Sequence, residues 1–430
     1  MKSVVKLIFN IKGYLNTQLY FKNILVQGGG TFFAQLFGVV SLPLITRLYE
    51  PESFGYLTQF NNFISFLTIL VSFRYEYFVL VPKKLETSLD FFAEILKFSF
   101  LLTLLFTFTI FIFLSLNLNY FTNFNLNYIT LLGPITAYLA SISIATQQIY
   151  QKLELYVTSA FTEPINKIFF FISAVLFYAI SINFYGLIFA TITGYLFKTI
   201  YLFSSRSIFC KLKNFNFKLT KFQNIRVFKK SALSFSVSNL IQTLTGFLPV
   251  IFITNTYGSY TLGQWGLAIF AVYLPTSIIG TAIGQVYFQS ANKLHGEGIS
   301  IQNIWIKTVK SLFYLAIPSY LLLAFLAPIL FPIIFGEKWH FAGIYTSILC
   351  ISVGMSFIST PVDRTCYIVK IDSYPYLINI LRLIFTALSI FFSLKFDFTF
   401  LEYLYLNSIL ASLLYLYDLY KSYIFSKLLF

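Results

Sequence analysis

FSFLLTLLFTFTIFIFLSL, residues 98–116, contains no charged side chain, proline or glycine. As a helix rising about 1.5 Å per residue, such a run nearly spans the roughly 30 Å hydrocarbon layer of a bilayer. It is too long for a barrel strand and keeps no sustained apolar–polar alternation, so a helix is the structure that satisfies its backbone in lipid. Similar apolar runs recur on either side. Taken together the spans read 24–46, 55–81, 91–116, 126–147, 164–182, 184–204, 233–254, 261–288, 309–335, 341–363, 373–394 and 400–420. The composition agrees: 58% of the 430 residues are hydrophobic and 10% charged, against about 25% charged in soluble domains. The chain is expected to be an all-α integral membrane protein of about twelve transmembrane helices in two six-helix lobes.

The formal charge of +15 could suggest nucleic acid, but its distribution argues otherwise. Of the 30 lysines and arginines, 26 fall in or beside alternate loops, beginning with Lys2, Lys6, Lys12 and Lys22. The opposite loops hold only Arg47, Lys338 and Lys395, and Arg382 lies within a span. This is the positive-inside pattern, which places both termini of a multi-pass membrane protein in the cytoplasm. Nucleic acid is not an expected partner; membrane lipids are. Residues 1–22 read as a cytoplasmic amphipathic segment rather than a cleavable signal peptide. Residues 23–205 form the expected N-lobe and 231–430 the C-lobe. Between them, 206–230 reads as a basic linker on anionic headgroups.

The two halves repeat each other. At an offset of 207, Gln27 falls on Ser234, Thr31 on Ser238, Gln35 on Gln242, Gly38 on Thr245 and Leu42 on Pro249; one residue further, Phe54-Gly55 falls on Leu262-Gly263. Steps of three and four place each polar set on one helical face. Such a face should meet protein or a wet cavity, because unpaired polar groups are costly in lipid. Six spans per half make the repeat parallel, about an axis along the membrane normal.

Charged side chains inside spans mark candidate function. Arg382 lies near the middle of the eleventh span with Asn379 on the same face. Arg74 and Glu76 lie in the basic third of the second span; two residues apart on a helix, they should face different ways and not pair. Glu94 and Lys97 read as an i,i+3 surface pair, Glu163 as a helix N-terminal acid, and Asp363-Arg364 as interfacial. The candidate substrate-binding residues are Arg74, Glu76, Arg382, Gln35, Asn239, Gln242 and Asn379. No catalytic residue, metal site or cofactor is expected: Cys210, Cys350 and Cys366 lack a CxxC spacing, His295 and His340 lie far apart, and no GxxxxGK[ST] motif occurs. Movement would then draw on an ion gradient, the membrane potential or the cargo's own gradient.

Four stretches carry a family resemblance: LPLITRLYEPESFGYL (42–57), SFRYEYFVLVPK (72–83), IIGTAIGQVYFQSANKL (278–294) and FGEKWHFAG (335–343). In this order they resemble the O-antigen and exopolysaccharide (Wzx-type) flippases of the multidrug/oligosaccharidyl-lipid/polysaccharide (MOP) superfamily. The resemblance implies a MATE/MOP-like fold and a flippase that moves an undecaprenyl-diphosphate-linked oligosaccharide to the outer leaflet. Polysaccharide polymerase and chain-length machinery are implied as further partners. Arg74, Tyr75 and Glu76 are the motif positions that it carries over. Two other readings are a drug/cation antiporter of the same superfamily and a polysaccharide-polymerase-type membrane enzyme. An antiporter would call for an acid in the first span, and residues 24–46 contain none. A membrane enzyme would need a large polar loop with paired acids, which the chain lacks.

The charge pattern makes a direct prediction. Green fluorescent protein fused after Phe430 should fluoresce, and alkaline phosphatase fused beside Lys338 should be active. The reverse pattern would refute the orientation.

Overall fold

The computed structural model describes residues 26–116, 127–204, 222–371 and 373–428. Among the described residues twelve helices cross the body: α1 (Val26–Leu48), α2 (Pro51–Ser72), α3 (Leu85–Ser115), α4 (Leu132–Lys152), α5 (Thr162–Ala179) and α6 (Gly186–Ser204) in the first half. A continuous run begins at Gln223, but Gly258 breaks it with φ 85° and ψ 168°, a backbone conformation that only glycine adopts freely. The run therefore holds α7, residues 223–257, and α8, residues 259–296, the latter widened by a π turn at Thr276–Gly280 behind Pro275. Then follow α9 (Gln302–Phe335), α10 (His340–Ser359), α11 (Tyr374–Lys395) and α12 (Phe400–Ser426). Among the described residues, ten segments are long and apolar enough to cross a membrane, one of which holds both α7 and α8. The remaining helix is α2, made more polar by Gln59, Asn61 and Asn62.

Local signals set the helix ends. Pro51 opens α2, where its missing N–H costs nothing. A capping box opens α12: Thr399 Oγ1 accepts from the Glu402 N–H, and Glu402 Oε2 accepts from the Thr399 N–H at 2.8 Å. Large apolar side chains stand exposed along the outer faces, among them Leu104, Phe108, Leu321 and Phe325. In water this would be an aggregating surface; in a multi-pass membrane protein it is the lipid contact.

Within the first half, α2 packs on α3, α4 and α6, and α5 pairs with α6. In the second half α10 is central, against α9, α12 and the α7–α8 pair, while α11 lies on α12 and α7. The strongest bridge between the halves is α2 against the α7–α8 pair. A β-carbon at Gly55 would strike the carbonyl of Ser259, one at Gly263 the carbonyl of Pro51, and one at Gly266 the hydroxyl of Thr58. The repeat-matched glycines Gly55 and Gly263 thus meet at the crossing, as positions beside a pseudo-twofold axis should. Further along, Phe66 stacks on Phe247 at 5.6 Å. At the less basic end Trp339 is fully buried, donates to the Thr46 carbonyl at 2.9 Å and meets the Phe54 ring at 4.8 Å. There Lys338 also pairs with Glu50 at 3.0 Å.

The structure corrects several expectations. The α2 helix stops at Ser72 rather than running to 81, because Phe73 and Arg74 both turn left-handed (φ 46° and 56°). Glu94 is buried, not on the surface. Its carboxylate accepts from the Ile225 N–H at 3.0 Å and from Asn224 at 3.1 Å, so it caps the start of α7. Residues 223–230, read as linker, are helical, while 205–221, with Cys210, lie outside the described residues, as does the 1–22 segment. Lys167 and Lys198, counted among the loop charges, lie within α5 and α6.

The glycine crossing gives the second prediction. Gly263→Leu should overpack the α2–α8 contact and cost about 1–3 kcal/mol, read as a lower thermal midpoint in detergent. Gly28→Ala, where nothing approaches a β-carbon, should leave the midpoint in place. Equal midpoints for the two variants would show that the crossing is not close.

Candidate functional site

The polar stripe of α7 meets α11 and α12 around a cavity of about 310 Å³ inside the second half. Ser238, Asn239 and Gln242 face it from α7, Asn379 and Arg382 from α11, and Asp418 from α12. Four of the seven candidate residues, Asn239, Gln242, Asn379 and Arg382, are therefore brought to one place. Helical spacing accounts for this: 238, 239 and 242 share a face, as do 379 and 382.

Asp418 organises the cavity wall. It is 1% exposed and sits eight residues before the end of α12, roughly 12 Å inside at helical rise. Its Oδ1 accepts from the Tyr374 hydroxyl at 2.8 Å, its Oδ2 from the Ser359 hydroxyl at 3.1 Å, and Arg382 lies 3.5 Å from Oδ2. Donors from α10 and α11 thus converge on one carboxylate, offsetting a desolvation cost of several kcal/mol for a buried ion. The guanidinium of Arg382 also lies 5.5 Å from the Tyr415 ring centroid, and its side chain remains 26% exposed. The Arg382–Asp418 contact is single and long, whereas guanidinium–carboxylate pairs of high affinity bind through two short bonds. Asp363, expected to be interfacial, lines the same cavity. Its helix ends short of it and the chain turns through Thr360–Val362, which brings the carboxylate inward. The cavity thus carries two acids and one arginine.

Arg74 and Glu76 are not among the residues lining this cavity, and they contradict the expectation that they cannot pair. With α2 ended at Ser72 the chain tightens into a 3-10 turn, Tyr75–Phe78, and Arg74 Nη1 comes within 3.6 Å of Glu76 Oε1. Two residues apart on an α-helix they would diverge; the left-handed pair before the turn folds them together. Glu76 is fully buried, and Arg74 also lies over the Tyr77 ring. The turn stacks against α7, with Tyr77 on Phe235 and Phe78 on Phe228, and Phe235 lines the cavity. Gln35 is half-buried on α1 and does not reach it.

In the first half Glu163 does open α5, as expected, but it is also bonded to Lys198 of α6 at 2.5 Å. Asp418, Tyr374, Ser359 and Lys198 escaped the sequence reading. One signal existed for Asp418: a single acid inside an apolar run needs a cation, and Arg382 was the intramembrane cation in need of a partner. Among the described residues, no group of three His, Cys, Asp or Glu side chains is placed to hold a metal ion.

Residues 44–342, more than half of the chain, match the family described as "Polysaccharide biosynthesis protein". The chain belongs to that family. A comparison with curated proteins gave no match. Among solved structures, this chain resembles "Lipid II flippase MurJ, inward closed conformation", with TM-score 0.69, 15% identity and coverage of 93% of this chain and 89% of that one. It also resembles an outward-facing multidrug resistance MATE family transporter of the MOP superfamily (TM-score 0.57, 12% identity, 94% and 93% covered). A third likeness is to a MOP superfamily transporter from Pyrococcus furiosus (TM-score 0.54, 11% identity, 94% and 93% covered), whose reverse pocket polarity suggests a different function for that protein. At these identities the likeness establishes the fold, which is that of the MOP superfamily.

A test of the site follows from the burial of Asp418. Replacing it by Ala strands Arg382 and should cost about 3 kcal/mol or more, the penalty for breaking a buried pair. Combining Asp418→Leu with Arg382→Met should recover much of that loss in thermal unfolding. Additive losses in the double variant would show that the two groups are not coupled.

Proposed function

We propose that this protein is a flippase that moves an undecaprenyl-diphosphate-linked oligosaccharide, the repeat unit of a surface polysaccharide, from the cytoplasmic to the outer leaflet by alternating access of its two halves. The observation that carries the reading is the membrane-embedded cavity of Asn239, Gln242, Asn379 and Arg382 in a chain of the polysaccharide biosynthesis family. Amides donate to and accept from sugar hydroxyls, and Tyr367 and Tyr374 add aromatic faces to the same wall. An arginine at the edge of such a cavity suits a phosphate oxygen. Gln35, Arg74 and Glu76 are assigned secondary roles along the path between the halves. The protein then acts as a transporter rather than an enzyme, in a bacterial inner membrane with both termini cytoplasmic, and it hands cargo to polymerase and chain-length machinery outside.

The inside-negative potential assists such a step. Outward passage of an anion gains about 2.3 kcal/mol per charge per 100 mV, so a diphosphate needs no nucleotide hydrolysis to be driven outward.

One observation favours a second reading, a cation-binding transporter of the antiporter type: Asp418 and Asp363 both line the cavity. Against it, α1 carries no acid. Genetics separates the two. Deleting the gene should leave undecaprenyl-linked repeat units on the cytoplasmic leaflet and abolish surface polysaccharide. In the complemented strain Arg382→Ala should abolish export at normal protein abundance, while Arg382→Lys keeps part of it. Normal polysaccharide in the deletion strain, with no second flippase present, would exclude the flippase reading.

A further inference from the structure

Each half carries one ion pair between its fifth and sixth helices, and the two pairs have opposite polarity. In the first half Glu163 of α5 meets Lys198 of α6 at 2.5 Å; in the second, Arg382 of α11 meets Asp418 of α12 at 3.5 Å. Arg382 stands 219 residues after Glu163, and Asp418 stands 220 after Lys198. Tyr415, beneath Arg382, stands 220 after Tyr195, which lies within electrostatic reach of Glu163. Fifth and sixth helices of both halves thus carry an ion pair at closely matching spacing, with the signs exchanged.

The charge surplus is exchanged as well. In the second half Asp363 joins Arg382 and Asp418, leaving one acid in excess. In the first half Lys167 lies one turn after Glu163 on α5, within reach of both Glu163 and Lys198, leaving one cation in excess. Lys167 and Lys198 lie roughly 7–9 Å inside their helices at helical rise, where an uncompensated cation is costly. Arg74 and Arg382 are already held by buried carboxylates. Among the described residues Lys167 forms no ion pair of its own.

The pair beside it is unevenly exposed. The Lys198 side chain is 6% exposed, whereas that of Glu163 is 41% exposed. Glu163 can rehydrate on leaving Lys198, but Lys198 cannot rehydrate on losing its anion. An incoming dianion with several oxygens could replace Glu163 on Lys198 and engage Lys167 at the same time.

We infer that Lys167 and Lys198 form a phosphate-class anion subsite in the first half, with Glu163 as the resident counter-ion that the ligand displaces. The ligand's identity rests on the flippase reading above: the phosphate groups would be those of the lipid carrier, for which this subsite and Arg382 of the second-half cavity are two separate contacts.

The test uses the full-length protein in nanodiscs, with affinities measured for undecaprenyl diphosphate, phosphatidylglycerol and soluble pyrophosphate. Wild type should bind the diphosphate lipid. Lys167→Gln should weaken it about tenfold or more, as loss of one charge-assisted bond predicts. Glu163→Gln should tighten it severalfold, because the competitor is gone. A pair that merely fastens α5 to α6 would instead lower the thermal midpoint of Glu163→Gln and leave its affinity unchanged. Competition by pyrophosphate assigns the subsite to the phosphate group itself; competition by phosphatidylglycerol assigns it to anionic headgroups generally. The inference is overturned if wild type binds none of the probes, or if folded Lys167→Gln and Glu163→Gln bind as wild type does. Surface polysaccharide in the complemented deletion strain judges the flippase reading separately. Restoration with unchanged affinities removes the subsite alone, whereas pyrophosphate binding without restoration removes the flippase reading alone.

Discussion

A charge in hydrocarbon must find its counter-charge within the protein, and this constraint shapes the interior. Four ion pairs occur among the described residues. Three join groups within or at the ends of spans. Asp418 gathers α10, α11 and α12; Glu163 and Lys198 join α5 to α6; Arg74 and Glu76 fix the turn after α2. Glu94 extends the same logic to a helix terminus, where the unsatisfied N–H of Ile225 and the partial positive charge of α7 stand in for a cation. Lipid offers these groups no alternative partner, so losing one member leaves the other at a cost that water would have relieved.

The halves are held together by a different force. Lipid removes the hydrophobic drive between helices, leaving close van der Waals packing, which small residues permit. Gly55, Gly263 and Gly266 let α2 and α8 approach backbone to backbone. Polar contacts fasten the two ends of this seam: Lys338–Glu50 and Trp339–Thr46 at the less basic end, and Glu94 on the start of α7 at the other. The helices depart from regular geometry at Gly258, at the π turn after Pro275 and at the left-handed Phe73-Arg74 step.

The two ion pairs between fifth and sixth helices have reversed polarity. Asp363 lies in the same cavity as the Arg382–Asp418 pair, and Lys167 stands one turn from Glu163 of the Glu163–Lys198 pair, so the two clusters differ in sign while both halves remain net basic.

By itself the sequence determined the helices, their approximate bounds and the sided distribution of lysines and arginines. Each depends on about twenty consecutive residues, or on their count, and so is local. The polar stripe of α7 and the pairing of 379 with 382 were legible for the same reason, since helical period places them on one face. The partners were not. That Arg382 meets Asp418, that Glu94 caps α7, and that Arg74 folds back on Glu76 depend on which faces converge and where a helix stops. Lys198 read as a loop charge because six residues from a helix end is also where a lysine snorkels to water; only the packing of α5 on α6 buries it. Tertiary structure decided the counter-ions, because an ion pair is a property of two helices and hydropathy is a property of one.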